Sequence, residues 1–225
     1  MARWLAREGV GELVLTGRQG PATPGADELA DELRAAGATV TVAACDVADA
    51  AAVRALVERL AGRGTHIGAV FHTAGVAHAA PVAATDVADL ADALRASGGA
   101  VNLDEACGDE LSAFVLFSSG AGVWGGGHQG GYAAANAFLD ALAEDRRRRG
   151  RAATAVAWGA WDGGGMVDAE GAADQMFRSG VRAMRPDLAV SVPGRGARPR
   201  RHHAHRGGHS LGPVPADLTL AAPGR

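Results

Sequence analysis

Ser119 and Tyr132 stand thirteen residues apart in the stretch Ser118 to Asn136, directly after the apolar run Ala113-Phe114-Val115-Leu116-Phe117. Together they have the makings of a carbonyl-reducing site. Hydride reduction of a ketone builds negative charge on the carbonyl oxygen, so the site needs one group that surrenders a proton and a second hydrogen bond to hold the oxygen. A phenol can do the first and a serine hydroxyl the second. Tyr132 is the only tyrosine in the chain.

These groups need elements to bring them together. A buried strand ending near Ser118 would deliver the serine to the carboxyl edge of a parallel sheet, and a helix from Gln129 to Arg149 would put Tyr132 and Asn136 one turn apart on one face. Upstream, Glu12 to Thr16, Thr39 to Cys45 and Ile67 to His72 read as strands, and Ala152 to Trp158 as a further one after the site. Helices are predicted at Ala2 to Glu8, Ala26 to Ala36, Asp49 to Ala61 and Val87 to Arg95. Strand and helix alternate, which predicts an α/β fold with a doubly wound, Rossmann-like parallel sheet.

Composition narrows the function classes. Of 225 residues, 48% are apolar and 21% charged, and a net charge of −3 points to neither nucleic acid nor membrane as partner. The charged start Met1 to Glu8 does not resemble a signal peptide, and no apolar run reaches membrane-spanning length. Cys45 and Cys107 have no framework spacing, so a reduced, cytoplasmic setting is the default expectation. Lysine is absent altogether, and every fixed cation is arginine.

The two ends break the pattern. The chain opens in a helix that runs into the first strand, with neither the strand nor the Gly-rich turn that begins most dinucleotide folds. Residues 1–190 therefore read as a partial catalytic domain. Residues 191–225 carry 6 Arg against 1 acidic residue, where residues 1–190 carry 16 Arg against 24. Three readings of this tail are open: a metal cluster at His202, His203, His205 and His209, a nucleic-acid patch, or disordered sequence translated out of frame. Low complexity favours the last. Arg198 to His209 can be encoded by codons that, read one base later, spell a helix and strand ending.

Several segments in register resemble one family. Leu15-Thr16-Gly17-Arg18, Ala44 to Asp49, His72-Thr73-Ala74-Gly75-Val76, Phe117-Ser118-Ser119, Tyr132 to Asp140 and Ala157 to Trp161 resemble the ketoreductase domains of modular polyketide synthases, within the short-chain dehydrogenase/reductase superfamily. The resemblance implies NADPH-dependent reduction of a β-keto group on a thioester tethered to an acyl carrier protein, within the remainder of a synthase module. It assigns Tyr132 as proton donor, Ser119 as the second hydrogen bond and Asn136 as the polar residue one turn on.

Cofactor roles carry over in the same way. Arg18 would pair with the 2′-phosphate that distinguishes NADP from NAD, Asp46 and Val47 would contact adenine, and Thr73, Ala74 and Gly75 would pass beneath the cofactor. Trp124, eight residues before Tyr132, and the absence of Leu-Asp-Asp after Val76 resemble the A-type, which gives an L-configured hydroxyl. Gln129 stands where a histidine would mark an epimerised α-substituent. Residues from Asp162 to Arg182 resemble a substrate lid. No metal is implied.

Departures from the family pattern are as informative. Family members carry a catalytic lysine in an Arg-Ala-Lys context, where this chain reads Arg95-Ala96-Ser97-Gly98, one residue short. Arg95 is a poor stand-in for an ammonium point charge. Losing one preorganised donor costs about 3 to 4 kcal/mol of transition-state stabilisation. Without a Gly-rich turn to hold the pyrophosphate, NADPH affinity is expected to fall sharply. The expected function is thus NADPH-dependent β-keto reduction, with a non-catalytic remnant of a disrupted synthase gene as the alternative. A stand-alone reductase fits less well, because it would need its own Gly-rich turn.

Overall fold

The structure is a computed structural model that describes residues 1–75, 80–162 and 183–190. The predicted tail, the lid stretch beyond Asp162 as far as Arg182, and Ala77-His78-Ala79 lie outside these residues. In chain order the elements are α1 (Ala2–Arg7), β1 (Glu12–Gly17), α2 (Ala26–Ala35), β2 (Thr39–Ala44), α3 (Ala50–Ala61) and β3 (Ala69–His72). They continue with α4 (Val87–Cys107), β4 (Ala113–Ser119), α5 (Ala121–Trp124), α6 (Gly130–Arg148), β5 (Thr154–Trp158) and α7 (Pro186–Ala189).

All strand pairing is parallel, as the alternation of strand and helix predicts. The strands fall into two sheets, however: β1 pairs only with β2, and β3, β4 and β5 form a second sheet in that order. No hydrogen bonds join β1 to β3. Side chains nevertheless cross the divide. Phe71 of β3 packs against the core formed by Leu5, Leu13, Leu33 and Val40. Leu103 of α4 packs against the clusters of both halves.

Helix boundaries follow local chemistry. Asp49 caps α3 by accepting from the backbone N–H groups of Ala51 and Ala52. Asp86 and Asp89 form a reciprocal capping box at the start of α4. That helix runs twelve residues beyond the predicted Arg95 end, because Ser97-Gly98-Gly99 does not break it. Gly99 packs on α3's approach instead: a Cβ there would meet Val47 Cγ2 at 2.7 Å. The glycine lets two backbones approach rather than ending a helix.

Gly20 is the other glycine that the fold requires. Its φ is +53°, and a Cβ would fall 2.5 Å from the backbone nitrogen of Ala44 in β2. Gly20→Ala therefore combines backbone strain with a clash against a strand that cannot yield. We expect a loss of more than about 2 kcal/mol, read as a lowered urea midpoint at unchanged slope. An unchanged midpoint would show that the turn after β1 relaxes freely.

At the opposite end of the sheet, α6 and α4 are tied by buried charge. Arg146 is fully buried, lies 4.0 Å above the Phe114 ring and ion-pairs with Asp104. Asp104 is also met by Arg149 at 2.7 Å and by Arg151 at 3.5 Å. Burial pulls the Arg146 guanidinium below its ordinary value, and Asp104 partly offsets this. Its Nη2 has no partner among the described residues.

Candidate active site

The apolar run predicted before Ser118 is the middle strand of the three-stranded sheet, with Val115 and Leu116 wholly buried. Its carboxyl end delivers two serines with different duties. Ser118, buried, donates from Oγ to the carbonyl of Asn136 at 3.3 Å, which fastens β4 to α6. Ser119 Oγ accepts from the N–H of Ala121 at 3.2 Å, so its own proton remains available to a ligand.

Helix α6 begins one residue later than expected, with Gln129 in the N-cap position making no side-chain cap bond. Tyr132 and Asn136 follow one turn apart. Asn136 is buried, and its Nδ2 donates to the Tyr132 carbonyl at 2.8 Å. The Tyr132 hydroxyl bonds to no described residue. Two close approaches fix this face of the helix. A Cβ on Gly131 would stand 2.9 Å from the Ala93 Cβ of α4, and one on Gly122 would stand 3.0 Å from the Ala137 nitrogen.

Ser119, Tyr132 and Asn136 line one cavity together with Thr73, Ala74 and Gly75, the segment just past β3. Its volume is about 180 Å³. Residues without an expected role complete the wall: Ala93 and Ser97 of α4, and the aromatic group Phe117, Trp158 and Trp161. The Trp158 and Trp161 ring centroids are 4.8 Å apart, and Phe117 lies 5.3 Å from Trp158. Trp158 Nε1 is buried without a partner among the described residues, a donor on the cavity wall. The repeated tryptophans around Gly159-Ala160 were the available signal for this wall. Ser97 fell past any expected role because α4 outlasts its predicted end, and Ala93, inside the predicted helix, carries no polar group to mark it.

The remaining expected residues lie apart. Arg18 is exposed and lines a second cavity with Gly17, Gln19 and Thr23. It makes no ion pair with a described residue. Asp46 and Val47 line neither cavity. The Asp46 carboxylate accepts from the Ala48 N–H at 3.0 Å and is ion-paired with Arg95. The Val47 carbonyl accepts from Asn102 Nδ2 at 2.8 Å. Arg95, which could have stood in for the missing lysine, is thus committed to Asp46, and among the described residues no cation lines the Tyr132 cavity. Trp124 is exposed, its ring over Gly120, and Gln129 is exposed; both lie outside the cavity wall.

Asp140 sits one further turn along the Tyr132–Asn136 face and is half-buried. Burial raises its pKa, a hydrogen bond with Ser118 works against that rise, and Glu144 adds to it. A carboxyl whose folded pKa exceeds its unfolded value favours folding below the unfolded pKa and loses that contribution as pH rises through the folded pKa. Wild-type thermal stability should therefore decline as pH climbs through the upper carboxylate range. In Asp140→Asn this part of the decline should be missing. Parallel stability–pH curves for the two proteins would show that Asp140 titrates like a solvated group.

Residues 1–163 match the KR domain family. The chain belongs to that family. It is 54% identical over 196 residues to "Polyketide synthase GfsA" of Streptomyces halstedii, covering 85% of this chain and 3% of that protein. Among solved structures, it resembles PlmKR1, a ketoreductase from the first module of phoslactomycin biosynthesis in Streptomyces sp. HK803. There the TM-score is 0.81 at 43% identity, over 84% of this chain and 45% of that one. A structure of A-type ketoreductases from a modular polyketide synthase matches with TM-score 0.81 at 50% identity, over 84% of this chain and 40% of that one. The KR chain described here thus spans less than half of the solved ketoreductases it matches and a small part of the synthase. The likeness agrees with the parallel α/β architecture.

Proposed function

We propose that this KR chain reduces the β-keto group of a thioester carried by an acyl carrier protein, within a polyketide synthase module, using NADPH and giving an L-configured hydroxyl. One observation carries the reading: Ser119 from β4 and Tyr132 and Asn136 from α6 share a cavity with Thr73-Ala74-Gly75. Tyr132 would release its proton to the carbonyl oxygen, while the free Ser119 O–H donates to the same oxygen and holds it as charge develops. The Phe117, Trp158 and Trp161 wall excludes water from the reacting carbon. Asn136, fixed through the Tyr132 carbonyl, keeps that turn of α6 in place.

The residues present fit a nicotinamide dinucleotide. Arg18 offers a guanidinium that pairs with no described residue and suits a 2′-phosphate, and Thr73 to Gly75 offer a small-residue segment that a flat ring can approach. Trp158 Nε1 leaves a buried donor for a polar group. When bound, NADPH supplies the hydride. The L-configured product is supported by exposed Trp124 eight residues before Tyr132 and by the 50% identity to A-type ketoreductases.

Intrinsic tryptophan fluorescence provides the test, because Trp158 and Trp161 line the cavity. Binding of NADPH by residues 1–225 alone should be weak; with a strand and Gly-rich turn supplied upstream, titration should favour NADPH over NADH, and Arg18→Ala should erase most of that preference, a change of about 1.5 to 3 kcal/mol for one charge-assisted contact. Equal affinities in the parent chain would remove the case for Arg18. One observation favours the alternative of a non-catalytic remnant: among the described residues, no cation lines the Tyr132 cavity. Under that alternative, the β-keto thioester is not turned over at any NADPH concentration.

A further inference from the structure

We infer that the indole N–H of Trp158 holds a second carbonyl oxygen of the substrate, that of the thioester, while Ser119 and Tyr132 hold the ketone. The inference rests on the reductase reading above and names a further group of the substrate that the same cavity takes. Trp158 ends β5 and is 3% exposed, and its Nε1 has no partner among the described residues. Buried donors in folded proteins are nearly always paired, so one left over on a cavity wall points to an acceptor brought by a ligand.

The sheet places this donor beside the serine. Ser119 of β4 and Trp158 of β5 are partners in register, and the Gly120 N–H donates to the Trp158 carbonyl at 3.0 Å. Neighbouring strands lie about 4.8 Å apart, and partners in register turn their side chains to the same face. Packing agrees with this. Ala113 and Val115 cluster with Val156 and Trp158 on one face, and Phe114 and Leu116 cluster with Ala153 on the other. By the same alternation Ser118 takes the second face, where it donates to Asn136, and Ser119 takes the first, beside the indole. The rings of Phe117, 5.3 Å away, and Trp161, 4.8 Å away, pack against the indole and fix it.

These surroundings set the chemistry of the acceptor. An indole N–H only donates, so its partner is an atom with a free lone pair. Among the described residues no cation lines the cavity, so a phosphate or carboxylate would lie there without a counter-charge, which a neutral carbonyl does not need. Two other polar side chains of the wall spend their protons inside the protein, Ser97 on the Leu94 carbonyl and Asn136 on that of Tyr132. The ketone oxygen has Ser119 and Tyr132. A β-keto thioester carries its second carbonyl one carbon further on, and donors on adjacent strands suit two oxygens so spaced. Held at both, the substrate is oriented, whereas an isolated ketone is held at one point and is free to turn.

Two-dimensional NMR of the isotope-labelled chain of 225 residues tests this without turnover, since its four tryptophans give four indole signals. Trp158→Phe identifies the relevant signal by its loss. Should that variant not fold, Trp4→Phe, Trp124→Phe and Trp161→Phe identify it by elimination. Spectra are taken without and then with NADP⁺, which carries no hydride to transfer. Acetoacetyl-N-acetylcysteamine, a β-keto thioester, should move the Trp158 indole proton downfield, and neither NADP⁺ alone nor cyclohexanone should do so. With labelled carbon in the ligand, Trp158→Phe should cancel the bound shift of the thioester carbonyl and spare that of the ketone, and Ser119→Ala should do the converse. In turnover, Trp158→Phe should raise KM for the thioester about tenfold, the worth of one neutral hydrogen bond, and leave KM for cyclohexanone unchanged.

A Trp158 signal moved by NADP⁺ alone would give the donor to the cofactor's carboxamide and overturn the assignment. Equal movement by cyclohexanone, no movement by any ligand, or a thioester shift that survives Trp158→Phe would overturn it as well. The reductase reading fails separately. A signal moved by the thioester with no turnover on NADPH sinks that reading and leaves Trp158 as a carbonyl donor, while turnover indifferent to Trp158→Phe sinks only the inference.

Discussion

Tyr132→Phe is expected to abolish NADPH-dependent reduction of a β-keto thioester, lowering turnover by about 10²- to 10⁴-fold, the range of a general acid. The substitution removes one oxygen that bonds to no described residue, so it leaves no orphaned polar group behind. The melting temperature should stay with that of the parent. The combination separates chemistry from folding: a rate near the parent's would dismiss Tyr132 as proton donor. A Ser119→Ala companion should lose less, because the oxygen would keep its proton source and forfeit one hydrogen bond.

Asp104→Ala is expected to be the most damaging change to stability, at about 3 to 5 kcal/mol, a large share of the 5 to 15 kcal/mol that holds a typical domain. The carboxylate neutralises Arg146, which is wholly buried, and Arg149 and Arg151 converge on it. Removal leaves a guanidinium in the core with only the Phe114 ring and the Ala152 carbonyl for company. Replacing both charges, as in Asp104→Leu with Arg146→Met, should recover much of the loss, since matched apolar groups need no counter-charge. Denaturant unfolding of the two variants decides the matter. If the double variant is no better than the single, the damage arises from shape and not from the stranded charge.

Much of the site was legible in the sequence because its chemistry sits on regular elements. The apolar run before Ser118 could only be a buried strand, and Tyr132 and Asn136 share a face under any helical reading of residues 130–148. Arg18 was equally plain as the first residue past a strand. What escaped was set by tertiary packing. Ser97-Gly98-Gly99 reads as a helix stop, yet Gly99 is buried against Val47 and the helix passes through, so that Ser97 lines the cavity beside Ala93 as a helical residue. The commitment of Arg95 to Asp46 joins residues 49 positions apart, and no local pattern announces it. The division into two sheets was likewise out of reach, since strand periodicity says which residues extend but not which edges remain open.

The contact between Gly131 and Ala93 has a consequence for how this protein can change. With 2.9 Å available to a Cβ at 131, alanine there cannot be accommodated while alanine remains at 93. The two positions therefore form an epistatic pair in which history is directional. Ala93→Gly opens room at the cost of helix propensity, about 1 kcal/mol, and Gly131→Ala can then follow and regain a similar amount. The reverse order passes through a clash beside Tyr132. A lineage that avoids the clash can cross this pair by one path only, and a library randomising both sites should return the two singly small combinations while the doubly large one is missing.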